Sequence, residues 1–316
     1  MTAPAITAPS SAMDRQTWLL LILLSVLWGG SFFFASAALR ELPPLTVVLA
    51  RVAIGAVLLL PFLKRLGGAW PETLAGWTPF FVMGMLNNVI PFSLLVAGQT
   101  YITGGMASVL NATTPLFTVL VLASFGDEKL IARRIAGVII GLIGVIVLRG
   151  PGIVQSENQT IGMLLCLGGA LSYGFSGLWG RRKLKGVPPI TSSTCQLICS
   201  TVVMTIIAGA VDRPWTLPMP GLATWGALIG LAALATSLAY IVFFTILARS
   251  GATNVMLVTL LIPVTAILLG VLILGEPLTV NEVIGAFIIA ASLLVIDGRM
   301  LALLRRSEKT TAPPSA

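Results

Sequence analysis

Apolar runs of about 20 residues follow one another along nearly the whole chain, with short links between them. A run of that length crosses the roughly 30 Å hydrocarbon core of a bilayer as a helix. Only 9% of the residues are charged, against about 25% in a typical soluble domain, and the mean hydropathy is +1.01. The chain is therefore predicted to cross the lipid bilayer several times.

The apolar runs are continuous and do not alternate with polar residues, which favours helices over the strands of a membrane β-barrel. The predicted fold is all-α and integral to the membrane, with ten transmembrane helices. Because the links are short, neighbouring helices are expected to pack antiparallel. The predicted spans are 18–37, 45–63, 77–97, 104–124, 132–148, 161–180, 190–210, 221–247, 252–274 and 280–298.

A series of residues recurs at a fixed spacing, which indicates an internal repeat. At an offset of 145, Trp28-Gly29 corresponds to Tyr173-Gly174 and Arg51 to Gln196. The predicted units are 17–149 and 160–299, with five helices each. At an offset of 148, Pro115, Glu128, Leu130 and Gly137 recur as Pro263, Glu276, Leu278 and Gly285.

The ends of the chain are predicted to be tails, a disordered cytoplasmic one at 1–16 and a cytoplasmic one at 300–316. The first apolar run also admits interpretation as a signal peptide, because Ala35-Ser36-Ala37 resembles a small-residue cleavage site. A membrane span is favoured, since the run is longer than a typical signal-peptide core. Cleavage would also remove the counterpart of the helix that contains Tyr173.

The basic residues predict the orientation, because cytoplasmic links carry an excess of Lys and Arg. With the N-terminus in the cytoplasm, Arg40, Arg149 and Arg213 fall outside, Arg51 falls within a span, and the other 15 of the 19 fall inside. Both termini are therefore predicted to be cytoplasmic, in the plasma (inner) membrane. Five helices per unit is an odd number, so the two repeats are predicted to be inverted, with a site between them.

Several motifs resemble the EamA-type family of the drug/metabolite transporter superfamily over residues 18–298. They are Leu27-Trp28-Gly29-Gly30-Ser31, Arg51, the repeated Pro…Glu…Gly pattern and, most specifically, Gly275-Glu276-Pro277-Leu278-Thr279. The resemblance implies a ten-helix inverted repeat with a central cavity, and export or exchange of small metabolites such as amino acids. Two positions depart from the family pattern: Tyr173 stands where Trp is frequent, and Ala291-Ser292 replaces a late glycine.

Two prolines in the middle of spans are candidate hinges. Pro115 and Pro263 each remove a helix hydrogen bond and free the carbonyl four residues earlier, on Asn111 and Thr259. These carbonyls and their polar side chains are candidate substrate contacts. The alternative is an ordinary kink that neighbouring helices satisfy.

Arg51 is the single basic residue predicted to lie well inside a span. Burying a charge there costs about 2.5–3.5 kcal/mol on insertion scales, so Arg51 is a candidate ligand for a carboxylate. The alternative is structural. Arg51 lies about 10 Å from the outer end of its helix, at 1.5 Å per residue, and its side chain could extend to the surface.

The remaining candidates for the substrate cavity are four aromatic residues and one amide: Trp28, Tyr173, Tyr240, Phe244 and Asn88. Trp28 and Tyr173 correspond in the repeat and lie beside glycines, where helices approach closely and the ring must point into the remaining space. Packing is the alternative for each ring. Asn87 and Gln99 add polar groups near Asn88.

The titratable residues limit the chemistry. No Asp, Glu or His is predicted in mid-span, so transport is not expected to depend on protonation there. Glu128 and Glu276 are predicted to hold helix ends. No metal site, cofactor or nucleic-acid partner is predicted, since the chain has no His, its three Cys lie in apolar runs and its basic residues form no patch. A homo-oligomer is compatible but not required.

The predicted function is a carrier of amino acids or related amphiphilic metabolites that works by alternating access, and not an enzyme. A multidrug or nucleoside-type exporter of the same fold is the first alternative. An integral-membrane enzyme is the second, which the missing acidic clusters, P-loop and Ser-His pair disfavour. A membrane scaffold or sensor would need a soluble module, and the sequence shows none.

Overall fold

The computed structural model describes residues 14–127, 131–149, 157–255 and 257–297, and these residues form helices with no strand among them. This confirms the all-α prediction. The α-helices are α1 Arg15–Ala38, α2 Pro44–Arg65, α3 Leu74–Gly84, α4 Ile90–Gly98, α5 Gly104–Asn111, α6 Thr114–Ser124, α7 Ala132–Arg149, α8 Glu157–Lys183, α9 Pro189–Val211, α10 Leu222–Ile229, α11 Ala239–Val255, α12 Val258–Leu269 and α13 Val280–Asp297.

Three π-helical segments extend or join these helices: Met85–Val89, Gly230–Leu238 and Gly270–Leu274. Seven helices of the described chain are long and apolar enough to cross a membrane, namely Arg15–Ala38, Pro44–Arg65, Leu74–Gly98, Gly104–Ser124, Asn158–Lys183, Pro189–Val211 and Leu222–Leu247. Two shorter apolar helices follow at Val258–Leu274 and Val280–Ile296.

The helix boundaries depart from the sequence prediction at one link. We expected a link between residues 247 and 252, but α11 continues to Val255 and includes Arg249 and Gly251. A lone glycine costs about 1 kcal/mol in a helix and does not by itself end one. Arg249 donates from Nη1 to Gln16 Oε1 at 3.0 Å, so its charge is satisfied beside the start of α1. Most of the two predicted tails lies outside the described residues.

Helices of the first half pack mainly on helices of the second half, and the pairings are similar when positions are matched at the sequence offsets of 145 and 148. Helix α1 packs on α12, and its counterpart α8 packs on α6. Helix α2 packs on the segment Gly230–Leu238, and its counterpart α9 packs on α3. The pairs α2 with α9 and α7 with α13 each join a helix to its own counterpart.

In the contact between α7 and α13, matched positions of the two helices also make matched residue contacts. A Cβ added at Gly137 would overlap Ile296, and one added at Gly285 would lie 2.7 Å from Leu148 Cα. Gly285 and Leu148 are the positions that correspond to Gly137 and Ile296 at the offset of 148. Glycines here allow the two helices to approach closely, as small residues do in membrane helix pairs.

Gly285→Ala is expected to destabilise the protein, because the new methyl group meets the backbone of α7 and forces the two helices apart. The expected loss is about 1–3 kcal/mol, typical of overpacking. Gly226→Ala is the matched control, since a Cβ there meets nothing within 4 Å. Thermal unfolding in detergent should show a lower midpoint for Gly285→Ala alone. Equal midpoints would contradict the close packing of α7 on α13.

Candidate functional site

Arg51 is buried between the two halves, with 8% of its surface exposed. Its Nε donates to Thr236 Oγ1 at 3.0 Å, and its Cζ lies 3.6 Å from the ring centroid of Phe92. Within the described chain, its two terminal nitrogens donate no hydrogen bond. A guanidinium held on an aromatic face without a carboxylate is suited to receiving an anionic group.

The hydrogen-bond partner of Arg51 is the hydroxyl of Thr236, which lies where the backbone is π-helical. Thr236 lies in the π-helical segment Gly230–Leu238, where its hydroxyl donates to Leu231 O at 2.9 Å. Ser237 beside it donates to Ala232 O at 3.0 Å. These hydroxyls occupy carbonyls of the widened helix, and Thr236 Oγ1 can still accept from Arg51. Segments of this kind are frequent at functional sites.

Asn88 is fully buried and joins three helices. Its Nδ2 donates to Ser200 Oγ at 3.0 Å, and its Oδ1 accepts from the Tyr240 hydroxyl at 3.1 Å. Ser200 in turn donates to Gln196 O at 2.6 Å. With both ends of its amide engaged, Asn88 positions Tyr240.

Asn87 extends this network toward the position that corresponds to Arg51. Its Nδ2 lies 3.2 Å from Gln196 Oε1 and 3.3 Å from the Tyr240 hydroxyl. Its Oδ1 accepts from Ser176 Oγ at 3.3 Å. Gln196, which corresponds to Arg51 at the sequence offset of 145, is thus part of this network. The sequence indicated Asn87 as a polar group near Asn88, and its contact with Gln196 was not predicted.

A row of aromatic rings leads from Trp28 to the network. Trp28 and Phe243 have centroids 5.4 Å apart, Phe243 and Phe244 5.1 Å, and Phe244 and Tyr240 6.3 Å. Tyr173 packs against both large apolar clusters of the core. Phe243 was not among the predicted site residues, although its position three residues after Tyr240 places both on one helix face.

The two predicted hinges differ in the structure. Pro115 lies in the first turn of α6, after a break at Ala112 and Thr113, whereas Pro263 lies inside α12. The prediction of an unpaired carbonyl on Asn111 is wrong, because that oxygen accepts from Thr114 Oγ1 at 2.7 Å. Such local hydroxyl bonds compete with the helix ladder. The corresponding residue Ile262 has no hydroxyl, and α12 stays helical there.

Arg51 has Thr236 as its side-chain hydrogen-bond partner in the described chain, and not Asn111 or Thr259. Asn111 ends α5, and its Oδ1 is buried without a hydrogen-bond partner in the described part of the chain. Thr259 lies in the first turn of α12, four residues before Pro263. Helices α5 and α12 pack on each other, so both residues lie on helices that join the two halves.

Glu276 holds a helix end, as predicted. Its Oε1 accepts from Gly104 N at 3.2 Å and its Oε2 from Gly105 N at 3.3 Å, at the start of α5. A carboxylate there is favoured by the exposed amides and the helix dipole. Gly275 makes the preceding turn in the left-handed region, with φ of 68°. Glu128 lies outside the described residues.

The opposite end of the bundle carries an ion pair. Arg182 Nη2 lies 2.6 Å from Asp127 Oδ1, and it also donates to Phe125 O at 2.9 Å. The hydrogen bonds from Arg182 hold the pKa of the Asp127 carboxyl below its usual value. The pair ties the link after α6 to the end of α8.

A cavity of about 440 Å³ opens at the end that holds Glu276. None of the eight side chains predicted to contact substrate lines it. Gln99 does, and its Oε1 also accepts from Ser36 Oγ at 3.2 Å. The cavity is lined by residues 99–103 and by Met106, Gln159, Pro277, Thr279 and Glu282.

The family model of the EamA-like transporter family matches the chain twice, over residues 16–150 and 160–297. The chain belongs to this family. It is similar to the uncharacterized transporter YvbV of Bacillus subtilis, with 27% identity over 89% of this chain and 92% of the relative. It is also similar to the uncharacterized inner membrane transporter YedA of Escherichia coli K12, with 28% identity over 89% and 90%.

A third relative carries a more specific name. It is a probable amino-acid metabolite efflux pump of Salmonella typhimurium, 25% identical over 90% of this chain and 95% of the relative. A solved crystal structure has the same fold, with a TM-score of 0.64 and 18% identity over 90% of this chain and 98% of the other. Membership in a transporter family points away from an enzyme.

Proposed function

We propose that this chain is an inner-membrane carrier that exports or exchanges small amphiphilic metabolites bearing a carboxylate, such as amino acids. The observation that carries the proposal is the buried guanidinium of Arg51, whose terminal nitrogens are without protein partners among the described residues. A carboxylate matches the fork of a guanidinium with two parallel hydrogen bonds. The Salmonella relative named an amino-acid metabolite efflux pump supports this class of substrate.

The aromatic row beside the network fits the rest of such a substrate. Trp28, Phe243 and Phe244 offer apolar surface, and the Tyr240 hydroxyl and the amides offer polar contacts. Tyr173 is proposed to contribute to the same apolar surface as these rings. In this proposal Arg51 binds the carboxylate, the rings contact the apolar part, and Asn88 positions Tyr240. Asn111 and Thr259 contribute at the contact between α5 and α12.

The alternating-access mechanism rests on a ten-helix arrangement of two inverted repeats. The exchange of helix pairs and the matched contacts of Gly137 and Gly285 support it. Carriers built in this way open a site between the halves to either side. The break before Pro115 and the turn at Pro263 are the proposed hinges. Slower single-turnover exchange by Pro115→Ala, with unchanged affinity, would support that role; unchanged turnover would oppose it.

We further propose that both termini are cytoplasmic, so that Lys183 faces the cytoplasm and Glu276 the outside. A single cysteine at position 183, in a protein whose three native cysteines are replaced, should resist an impermeant thiol reagent in intact cells. A single cysteine at position 276 should react. Labelling of position 183 from outside would reverse the orientation.

The function itself is tested by counterflow in proteoliposomes. Vesicles loaded with a mixture of unlabelled amino acids should take up labelled ones, and empty vesicles should not. A multidrug exporter of the same fold would instead move cationic drugs, which the positive charge of Arg51 opposes. Counterflow of cationic compounds or nucleosides without that of any carboxylate would replace this proposal with the alternative.

A further inference from the structure

The cavity at the Glu276 end stands apart from the Arg51 site and carries different chemistry. It lies where the link 99–103 meets Gln159 and the turn 277–282. Its volume of about 440 Å³ is within the range of small-molecule pockets. Its wall combines the side chains of Ile102 and Met106 with amide and hydroxyl groups.

Glu282 is the charged residue of this wall, and 5% of its surface is exposed. Its Oε2 accepts from Thr279 N at 2.9 Å, and its own amide donates to Thr279 Oγ1 at 3.3 Å. This reciprocal pair is a capping box at the start of α13. In the described chain, Oε1 accepts no hydrogen bond. One carboxylate oxygen therefore stabilises the helix start, and the other is available to a ligand.

Among the described residues, the charged side chains that line the cavity and the pocket beside it are both carboxylates. Glu276 lines a small pocket that adjoins it and shares Thr103, Met106, Pro277 and Glu282 with it. Both oxygens of Glu276 accept from α5, but its charge remains. No Lys or Arg of the described chain lines either space. Carboxylates at these two positions favour a cation over an anion as the ligand.

Tyr101 adds an aromatic surface to the wall and is itself 44% exposed. Aromatic faces attract ammonium groups and also pack against apolar bodies. We propose that this cavity binds an ammonium group attached to a small apolar or aromatic body, with Glu282 receiving the ammonium. The site is independent of the carboxylate site at Arg51, so either can fail without the other.

The test compares two probes of one shape and opposite charge, phenethylammonium and 3-phenylpropionate. The full chain in lipid nanodiscs should bind the ammonium probe, measured by calorimetry at neutral pH, and should bind the anion at this cavity weakly. Glu282→Gln keeps an acceptor for Thr279 and removes the charge, so affinity for the ammonium should fall about fivefold. Glu72→Gln, an exposed carboxylate in the link before α3, is the matched control.

A second variant is expected to raise the affinity for the ammonium probe, and it leaves the capping pair of Thr279 and Glu282 unchanged. Gln159→Glu adds a charge to the wall and should strengthen binding of phenethylammonium. Unchanged affinity in both variants, or an anion that binds as well as the ammonium in Arg51→Gln protein, would overturn the proposal. Counterflow of carboxylates should persist in Glu282→Gln, so this result is separate from the carrier function.

Discussion

Arg51→Gln is expected to weaken binding of carboxylate substrates about a hundredfold, because a charge-assisted pair of hydrogen bonds contributes roughly 3 kcal/mol. The same variant should unfold at the same temperature or a higher one. The guanidinium is buried with one hydroxyl partner and no carboxylate in the described chain, so the empty protein bears the cost of burying its charge. Affinity and the unfolding midpoint, measured on one preparation, separate the two effects.

Two further variants test this expectation, one with an intermediate change and one as a control. Arg51→Lys keeps the charge but loses the planar fork, so its affinity should fall between those of the native protein and Arg51→Gln. Arg40→Gln removes an exposed charge at the end of α1 and should change neither quantity. A lower midpoint with unchanged affinity in Arg51→Gln would assign Arg51 a structural role, which is the alternative that the sequence left open.

Asn88→Ala is expected to destabilise the protein by about 2–3 kcal/mol, because it removes two buried hydrogen bonds and leaves a cavity. Tyr240 would lose the acceptor of its hydroxyl, and Ser200 would lose a donor. Substrate affinity should fall less than in Arg51→Gln, since Asn88 acts through the position of Tyr240. Unfolding midpoints in detergent measure the loss of stability, and ligand titrations measure the loss of substrate affinity.

Ser93→Ala is the matched control for Asn88→Ala. Its hydroxyl lies on the same span, and its one hydrogen bond in the described chain is to the sulfur of Met204, at 3.8 Å. Its midpoint should therefore change little. If Asn88→Ala kept the native midpoint and lost ligand, Asn88 would contact the substrate directly.

The sequence by itself determined the helical class, most helix boundaries and the family. The prediction of a span at 104–124 coincides with Gly104–Ser124, and the predicted span 190–210 lies within Pro189–Val211. In lipid each span must satisfy its backbone hydrogen bonds internally. Each apolar run therefore predicts one helix, whatever the other helices do. The sequence also predicted an internal repeat, because paired Pro, Glu and Gly residues keep their spacing along the chain. The predicted link at 247–252 is wrong, because α11 continues through it to Val255.

Only the tertiary structure decided which side chains meet. Arg51 and Thr236 are 185 residues apart, and Asn88 lies between Ser200 and Tyr240 from the other half. The cavity at the Glu276 end likewise combines a link of the first half of the chain with a turn of the second half. These spans are apolar on nearly every side, so no stripe in the sequence shows which face points to the other half. The rotation of α7 and α13 about their axes is limited by close packing at Gly137 and Gly285, and that packing exists only once both halves are assembled.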